Sequence, residues 1–241
     1  MGITLKKYPS PTDLARAAAE AWVLQLSTRK NAWETPYSVA LSGGRITQSF
    51  FRELVAHVRL NPAGCARLFD NVHFFWADER CVPPTDPESN FAMARELLFE
   101  PLGIVDSRIH RLRGEGPEPT ALREAIEGIT RAVRVSRGQP VLDMVFLGMG
   151  EDGHTASLFP GESLETMNDP AVYRLVRAVK PPPRRLTLGY GVLVAAREAW
   201  VLISGEGKEA ALKETLSPAS PTPLGRVLRM REQSTIYTDV A

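Results

Sequence analysis

At 241 residues and 26.6 kDa, with 44% hydrophobic and 24% charged residues, the chain can bury a core without disulfide or metal staples. Its 29 basic and 28 acidic side chains leave a formal charge of +1, which gives no case for nucleic acid or a membrane surface as partner. Two cysteines, Cys65 and Cys81, form no metal-ligand spacing, and no signal-type or membrane-length apolar run occurs, so a cytoplasmic setting is expected.

In chain order, "SPTDLARAAAEAWVLQL" opens with capping residues and continues at helical spacing through Leu14, Ala18, Ala21, Trp22 and Leu26. "YSVAL" (37–41) predicts a short buried strand that stops at Gly43-Gly44, and "ITQSFFRELVAHVRL" places Phe50, Phe51, Leu54, Val55 and Val58 on one helical face. "VHFFWA" (72–77) reads as a strand, and "SNFAMARELLF" (89–99) as a helix capped by Ser89 or Asn90. "TALREAIEGITRAV" (120–133) predicts a helix, and "VLDMVFLG" (141–148) a nearly all-apolar strand. "RLTLG", "WVLIS" and "TIYTD" are further strands, with helix-like "GVLVAARE" and "KEAALKETL" among them.

Strands apolar on both faces, alternating with helices, predict one α/β domain over residues 1–241. It is doubly wound and Rossmann-like, with a mostly parallel sheet and helices on both faces. In such folds ligands sit beyond the carboxyl ends of the strands. Three motif-rich segments directly follow three of the strands. They are "SGGRIT", "DERCVPP" and "GMGEDGHTASLFPG", and the fold rule brings them to a common edge.

Each segment carries two readings by itself. Ser42-Gly43-Gly44 suits a backbone-amide cradle for phosphate at a helix N-terminus, and equally a tight turn. Asp78-Glu79-Arg80 reads as a salt bridge where strand meets loop, or as Asp78 and Arg80 facing a ligand. In the glycine-rich third segment, His154 is suited to general-base work, with Asp152 two residues earlier to orient it. His57, His73 and His110 all have simpler structural explanations. Lys180, Arg184 and Arg185 around "PPP" read as solvated charges. Lys208 is less expected as one, because it opens a helix whose dipole disfavours a cation there.

Taken together and in order, these segments resemble the 6-phosphogluconolactonase family, within a wider group that includes glucosamine-6-phosphate isomerase/deaminase. The likeness runs from about residue 37 to 216, and "DERCVPPTDPESN" and "GEDGHTASLFPG" are its most specific parts. It implies a cytosolic enzyme, independent of metal and cofactor, that hydrolyses 6-phospho-D-glucono-1,5-lactone. The family's general base falls on His154, and its phosphate- and sugar-contacting positions on Gly43, Gly44, Asp78, Arg80, Lys180, Arg185 and Lys208. One departure stands out. Where the family commonly has Ser-Gly-Gly-Ser-Thr-Pro, this chain has Ser42-Gly43-Gly44-Arg45-Ile46-Thr47, which offers Arg45 as a charged phosphate contact. A sugar-phosphate lactone is the expected partner, and a monomer the expected state.

Two rivals share the fold. The isomerase/deaminase branch resembles "DGHIAFNEP" where this chain has "DGHTASLFP", and it needs a carboxylate shortly after its histidine; here no acid follows His154 until Glu162. A sugar-phosphate-sensing regulator usually carries a DNA-binding helix pair first, and the 36 residues ahead of Tyr37 leave little room for one. The lactonase reading is preferred.

Overall fold

The computed structural model describes residues 2–30, 32, 34–65 and 67–240. The first strand, β1 (Gly2–Lys7), is followed by α1 (Pro11–Ser27), β2 (Tyr37–Leu41), α2 (Arg45–Leu60) and the single turn α3 (Pro62–Cys65). Next come β3 (Val72–Trp76), β4 (Asp78–Arg80) and α4 (Asn90–Ala94), which runs through a π-helical turn at Arg95–Phe99 into α5 (Glu100–Leu102). After α6 (Glu118–Ala132) lie a small hairpin of β5 (Val135–Ser136) and β6 (Gln139–Pro140), then β7 (Met144–Gly148) and α7 (Leu164–Asn168). The chain finishes with β8 (Tyr173–Arg177), β9 (Arg184–Leu188), α8 (Tyr190–Ala195), β10 (Glu198–Ile203), α9 (Glu209–Thr215), α10 (Pro223–Met230) and β11 (Gln233–Thr238).

Six strands form one fully parallel sheet in the order β1-β11-β10-β7-β2-β3. All of β2 is buried, as are the first four residues of β7, so both faces of the sheet centre are covered. On one face α1 and α2 pack together through Trp22 and Phe50, whose rings meet Phe146 of β7 at 5.0 and 4.8 Å. The strand order reverses between β2 and β7. The chain leaves β2 toward β3 on one side and later returns to β7 on the other, which opens a crevice at their carboxyl ends. The predicted doubly wound α/β fold is the one observed. One cluster of buried apolar side chains runs from Leu14 to Val240.

A second sheet, antiparallel in the order β4-β9-β8, departs from the parallel pattern and forms one wall beside the crevice. "DER", read as the start of a loop, is β4, and its period-2 alternation has consequences for the site. Strands β1 and β8 and helix α10 were not expected from the sequence. The helix read in "GVLVAARE" ends at Ala195, because Glu198 already pairs with Met144 as the first residue of β10. Among the described residues, no helix is long and apolar enough to cross a membrane.

Candidate active site

The three motif-rich loops converge on one cavity of about 170 Å³ at the crevice between β2 and β7. The loop after β2 contributes Ser42, Gly43, Gly44 and Arg45; β4 contributes Asp78 and Arg80; the loop after β7 contributes Gly150 and His154. Arg185 of β9 and Lys208, the residue capping α9, complete the ring of polar groups.

His154 is held by its own loop. Its Nδ1 lies 2.5 Å from Oδ1 of Asp152, which also accepts the backbone N–H of His154 at 3.1 Å. Burial opposes the charge on Asp152, but the ring and backbone hydrogen bonds from His154 outweigh it and hold this carboxyl below its ordinary value. The imidazole leans against the ring of Phe159, with centroids 5.0 Å apart. Gly150 makes the arrangement possible, since a Cβ there would collide with His154 Nδ1 and with the Asp152 carboxylate. Asp152 itself stands behind His154, outside the cavity lining.

Across the cavity, α2 begins at Gly44, whose φ of +108° suits glycine. No side chain caps this helix and its first turn holds no acid, so its opening amides face the crevice with the positive end of the dipole. Ser42 plays a different part from the loop glycines. Its hydroxyl donates to the Phe146 carbonyl at 2.8 Å and ties β2 to β7 beneath the cavity. The Lys208 ammonium makes no hydrogen bond among the described residues. Burial, then the neighbouring Arg45, lowers its pKa, while Glu151 and Asp239 pull the other way. Two cations, Arg45 and Lys208, thus sit close enough to repel beside an uncapped helix N-terminus.

The strand period of β4 sorts the Asp-Glu-Arg trio. Asp78 and Arg80 face the cavity, while Glu79 points into the protein. There its carboxylate accepts the backbone N–H groups of Arg80, Asn90 and Phe91 and the Ser89 hydroxyl. Burial still pushes Glu79 up to about 7 against these donors. Asp78 is buried and accepts the Ser157 hydroxyl at 2.7 Å. Arg80 donates to the carbonyl and carboxylate of Glu88, and its Nε is buried with no partner among the described residues. Arg185 is fixed by donating to the carbonyls of Pro182 and Lys180, and burial and then Arg80 lower its pKa.

Lys180 is the exception among the expected residues. It serves the site through its backbone carbonyl, while its side chain is exposed and outside the cavity lining. The turn between β8 and β9 points this lysine to solvent, so the fold does not bring its side chain to the cavity with the others. Two polar lining residues, Asn90 and Ser204, went unrecognised in the sequence. Asn90 donates to the Asp78 carbonyl at 2.9 Å and packs against Gly43, where a Cβ would strike its amide. Only its place beside the helix cap Ser89 hinted at it. Ser204, at the end of β10, donates to Asp239 and had no signal beyond following an apolar strand.

A family model described as glucosamine-6-phosphate isomerases/6-phosphogluconolactonase matches residues 9–237, nearly the whole chain. The chain belongs to this family. Among its relatives, a 6-phosphogluconolactonase of Treponema pallidum is 35% identical over 211 residues, covering 87% of this chain and 85% of the relative. A 6-phosphogluconolactonase of Homo sapiens is 36% identical over 221 residues, covering 92% and 84%. The solved 6-phosphogluconolactonase of Trypanosoma brucei superposes with a TM-score of 0.83 at 26% identity, covering 98% and 95% of the two chains. A monomeric glucosamine-6-phosphate deaminase superposes with a TM-score of 0.79 at 18% identity, covering 99% and 97%. This last likeness concerns the fold alone, so the backbone by itself does not separate the two branches of the family.

Proposed function

We propose that the chain hydrolyses 6-phospho-D-glucono-1,5-lactone to 6-phospho-D-gluconate, with His154 as general base. The observation that carries this reading is that His154, backed by Asp152, and the uncapped N-terminus of α2 open onto the same cavity. A carboxylate can only accept, so its contact with Nδ1 puts the proton there and leaves the Nε2 lone pair free. Nε2 takes a proton from water as the water oxygen attacks C1, and the Asp152 charge stabilises the imidazolium that forms. The carbonyl electron pair moves to oxygen, and Arg80 and Arg185 are the available cationic donors for that oxyanion. Collapse breaks the bond from C1 to the ring oxygen, which receives the proton back from Nε2.

The phosphate belongs at the start of α2, where free amides and the helix dipole favour an anion and Lys208 and Arg45 add full charge. Asp78, Arg80 and Arg185 then face the sugar hydroxyls. The deaminase alternative is disfavoured by Glu162, the first acid after His154. It is bound to Arg174 at 2.6 Å, away from the cavity lining. We place the enzyme in the cytoplasm as a single-domain monomer. Both cysteines are buried free thiols, as a reducing compartment allows. The test is direct. Purified protein should consume freshly generated 6-phosphogluconolactone faster than it opens spontaneously and should leave glucosamine 6-phosphate unchanged. Release of ammonia from glucosamine 6-phosphate would favour the alternative.

A further inference from the structure

A second cavity, of about 360 Å³, lies between β3 and α6, away from the catalytic loops. Its walls are mixed: Phe75, Leu112 and Ile129 give apolar surface, while His110, Arg113 and Glu124 supply polar groups beside Arg111, which is paired with Glu115. The protonation of His110 follows from its neighbours. A guanidinium can only donate, so Arg108, 2.7 Å from Nε2 of His73, makes that nitrogen an acceptor. His73 must then carry its proton on Nδ1, which lies 2.9 Å from Nε2 of His110 and donates to it. His110 therefore holds its proton on Nδ1 and is neutral. Burial first, then neighbouring positive charge, lowers the pKa of both rings, as this chain of bonds requires. The His110 ring is stacked flat on Phe75, with centroids 4.5 Å apart, and its Nδ1–H has no partner among the described residues. A cationic group at the far end polarises the relay and strengthens that terminal donor.

Two more features mark the cavity as built for an occupant. The guanidinium of the exposed Arg113 makes no hydrogen bond or ion pair among the described residues, and its charge is felt by Glu115. Gly128 lines the cavity from within α6, where glycine is disfavoured, and a Cβ on it would meet no atom within 4 Å.

We propose that this cavity is a second binding site, for a small carboxylate with an apolar body. The carboxylate would accept from His110 Nδ1–H and Arg113, and the body would lie along the Phe75 and Ile129 walls. Glu124, on the same cavity, carries the charge that opposes such a ligand and so sets its affinity.

Benzoate is the probe, followed on the imidazole nitrogens of 15N-labelled protein by long-range proton–nitrogen correlation. The free protein should show His110 protonated on Nδ1 and bare on Nε2. Benzoate should shift His110 saturably with a Kd of about 1 mM or tighter, and equally when 6-phosphogluconate saturates the other site. Benzamide and inorganic phosphate should bind at least about tenfold more weakly, since one lacks the charge and the other the apolar body. Arg113→Gln should weaken benzoate and Glu124→Gln should tighten it; both positions are exposed, so the fold tolerates the changes. Gly128→Ala should raise Tm and weaken benzoate together. The proposal is overturned if His110 carries its proton on Nε2 or is an imidazolium, or if benzoate gives no saturable shift. It is equally overturned if 6-phosphogluconate displaces benzoate, if benzamide or phosphate binds as well, or if the three variants bind benzoate like the wild type.

Discussion

A single oxygen of Asp152 holds His154 twice, at 2.5 Å through the ring Nδ1 and at 3.1 Å through the backbone N–H. The charge, the tautomer and the loop conformation therefore depend on one side chain. Asp152→Asn removes the charge and permits an amide N–H to face Nδ1, which would move the ring proton to Nε2 and block the base. We expect kcat for lactone hydrolysis to fall by roughly 10²-fold or more with KM little changed. Stopped assays on fresh lactone, corrected for the spontaneous rate, give both constants. A variant with wild-type kcat would show that the carboxylate neither orients nor stabilises the imidazole.

Gly150→Ala tests the same geometry from the other side. Its Cβ would occupy the space of His154 Nδ1 and the Asp152 carboxylate, while Gly150 is not among the residues with positive φ. The expected result is a folded protein, with Tm close to wild type, that has lost at least about tenfold in kcat because the base is displaced. Unchanged kcat would mean that His154 reacts from another rotamer.

The phosphate assignment turns on Lys208 and Arg45. Losing one hydrogen bond to a charged group costs about 1.5–3 kcal/mol, or roughly ten- to a hundredfold in binding. Lys208→Ala should weaken 6-phosphogluconate by that factor in calorimetry and leave weak binding of unphosphorylated gluconate unchanged. Arg45→Ser restores the residue common in the family and should cost less, because the α2 amides remain. If both variants bind like the wild type, the phosphate sits instead toward Arg80 and Arg185.

Stability should carry a pH signature from the His73–His110 pair. Burial, with charge from His73 and Arg108, pushes His110 down to about 4 from 6.5, and His73 moves the same way. Between these values the unfolded chain binds protons that the folded chain refuses, so the pair's contribution is complete above 6.5 and is lost as pH falls toward 4. Glu79, pushed up to about 7, acts in the opposite sense over the same range, so the pair is read as a difference: from pH 7 to pH 5 the Tm of the wild type should fall relative to that of His110→Gln. Equal slopes for the two proteins would refute the assignment.

The legible parts of this fold are those where burial is complete. β2, β3 and β7 announce themselves as apolar runs because both faces are covered, and the loops after them lead to the cavity. β1 is illegible for the opposite reason. It lies at the sheet edge, exposed at five of its six positions, and is held mainly by its ladder to β11. β4 hides because three charged residues do not look like a strand, yet the spacing of Asp78 and Arg80 is the strand period that brings both to the site. Asn90 and Ser157 act through tertiary contacts with Gly43 and Asp78, which no local pattern encodes. Lys180 carries the family motif, but its side chain points outward and its backbone carbonyl is what meets Arg185.

The most direct test of the account is the lactonase activity of His154→Ala. No nearby imidazole can substitute: His73 and His110 are bound to each other, and neither lines the cavity. A base is worth roughly 10²–10⁴-fold, so the folded variant should open 6-phosphogluconolactone at close to the spontaneous rate while still binding 6-phosphogluconate. A His154→Ala protein that keeps more than about a tenth of wild-type kcat would contradict the assignment of His154 as the base.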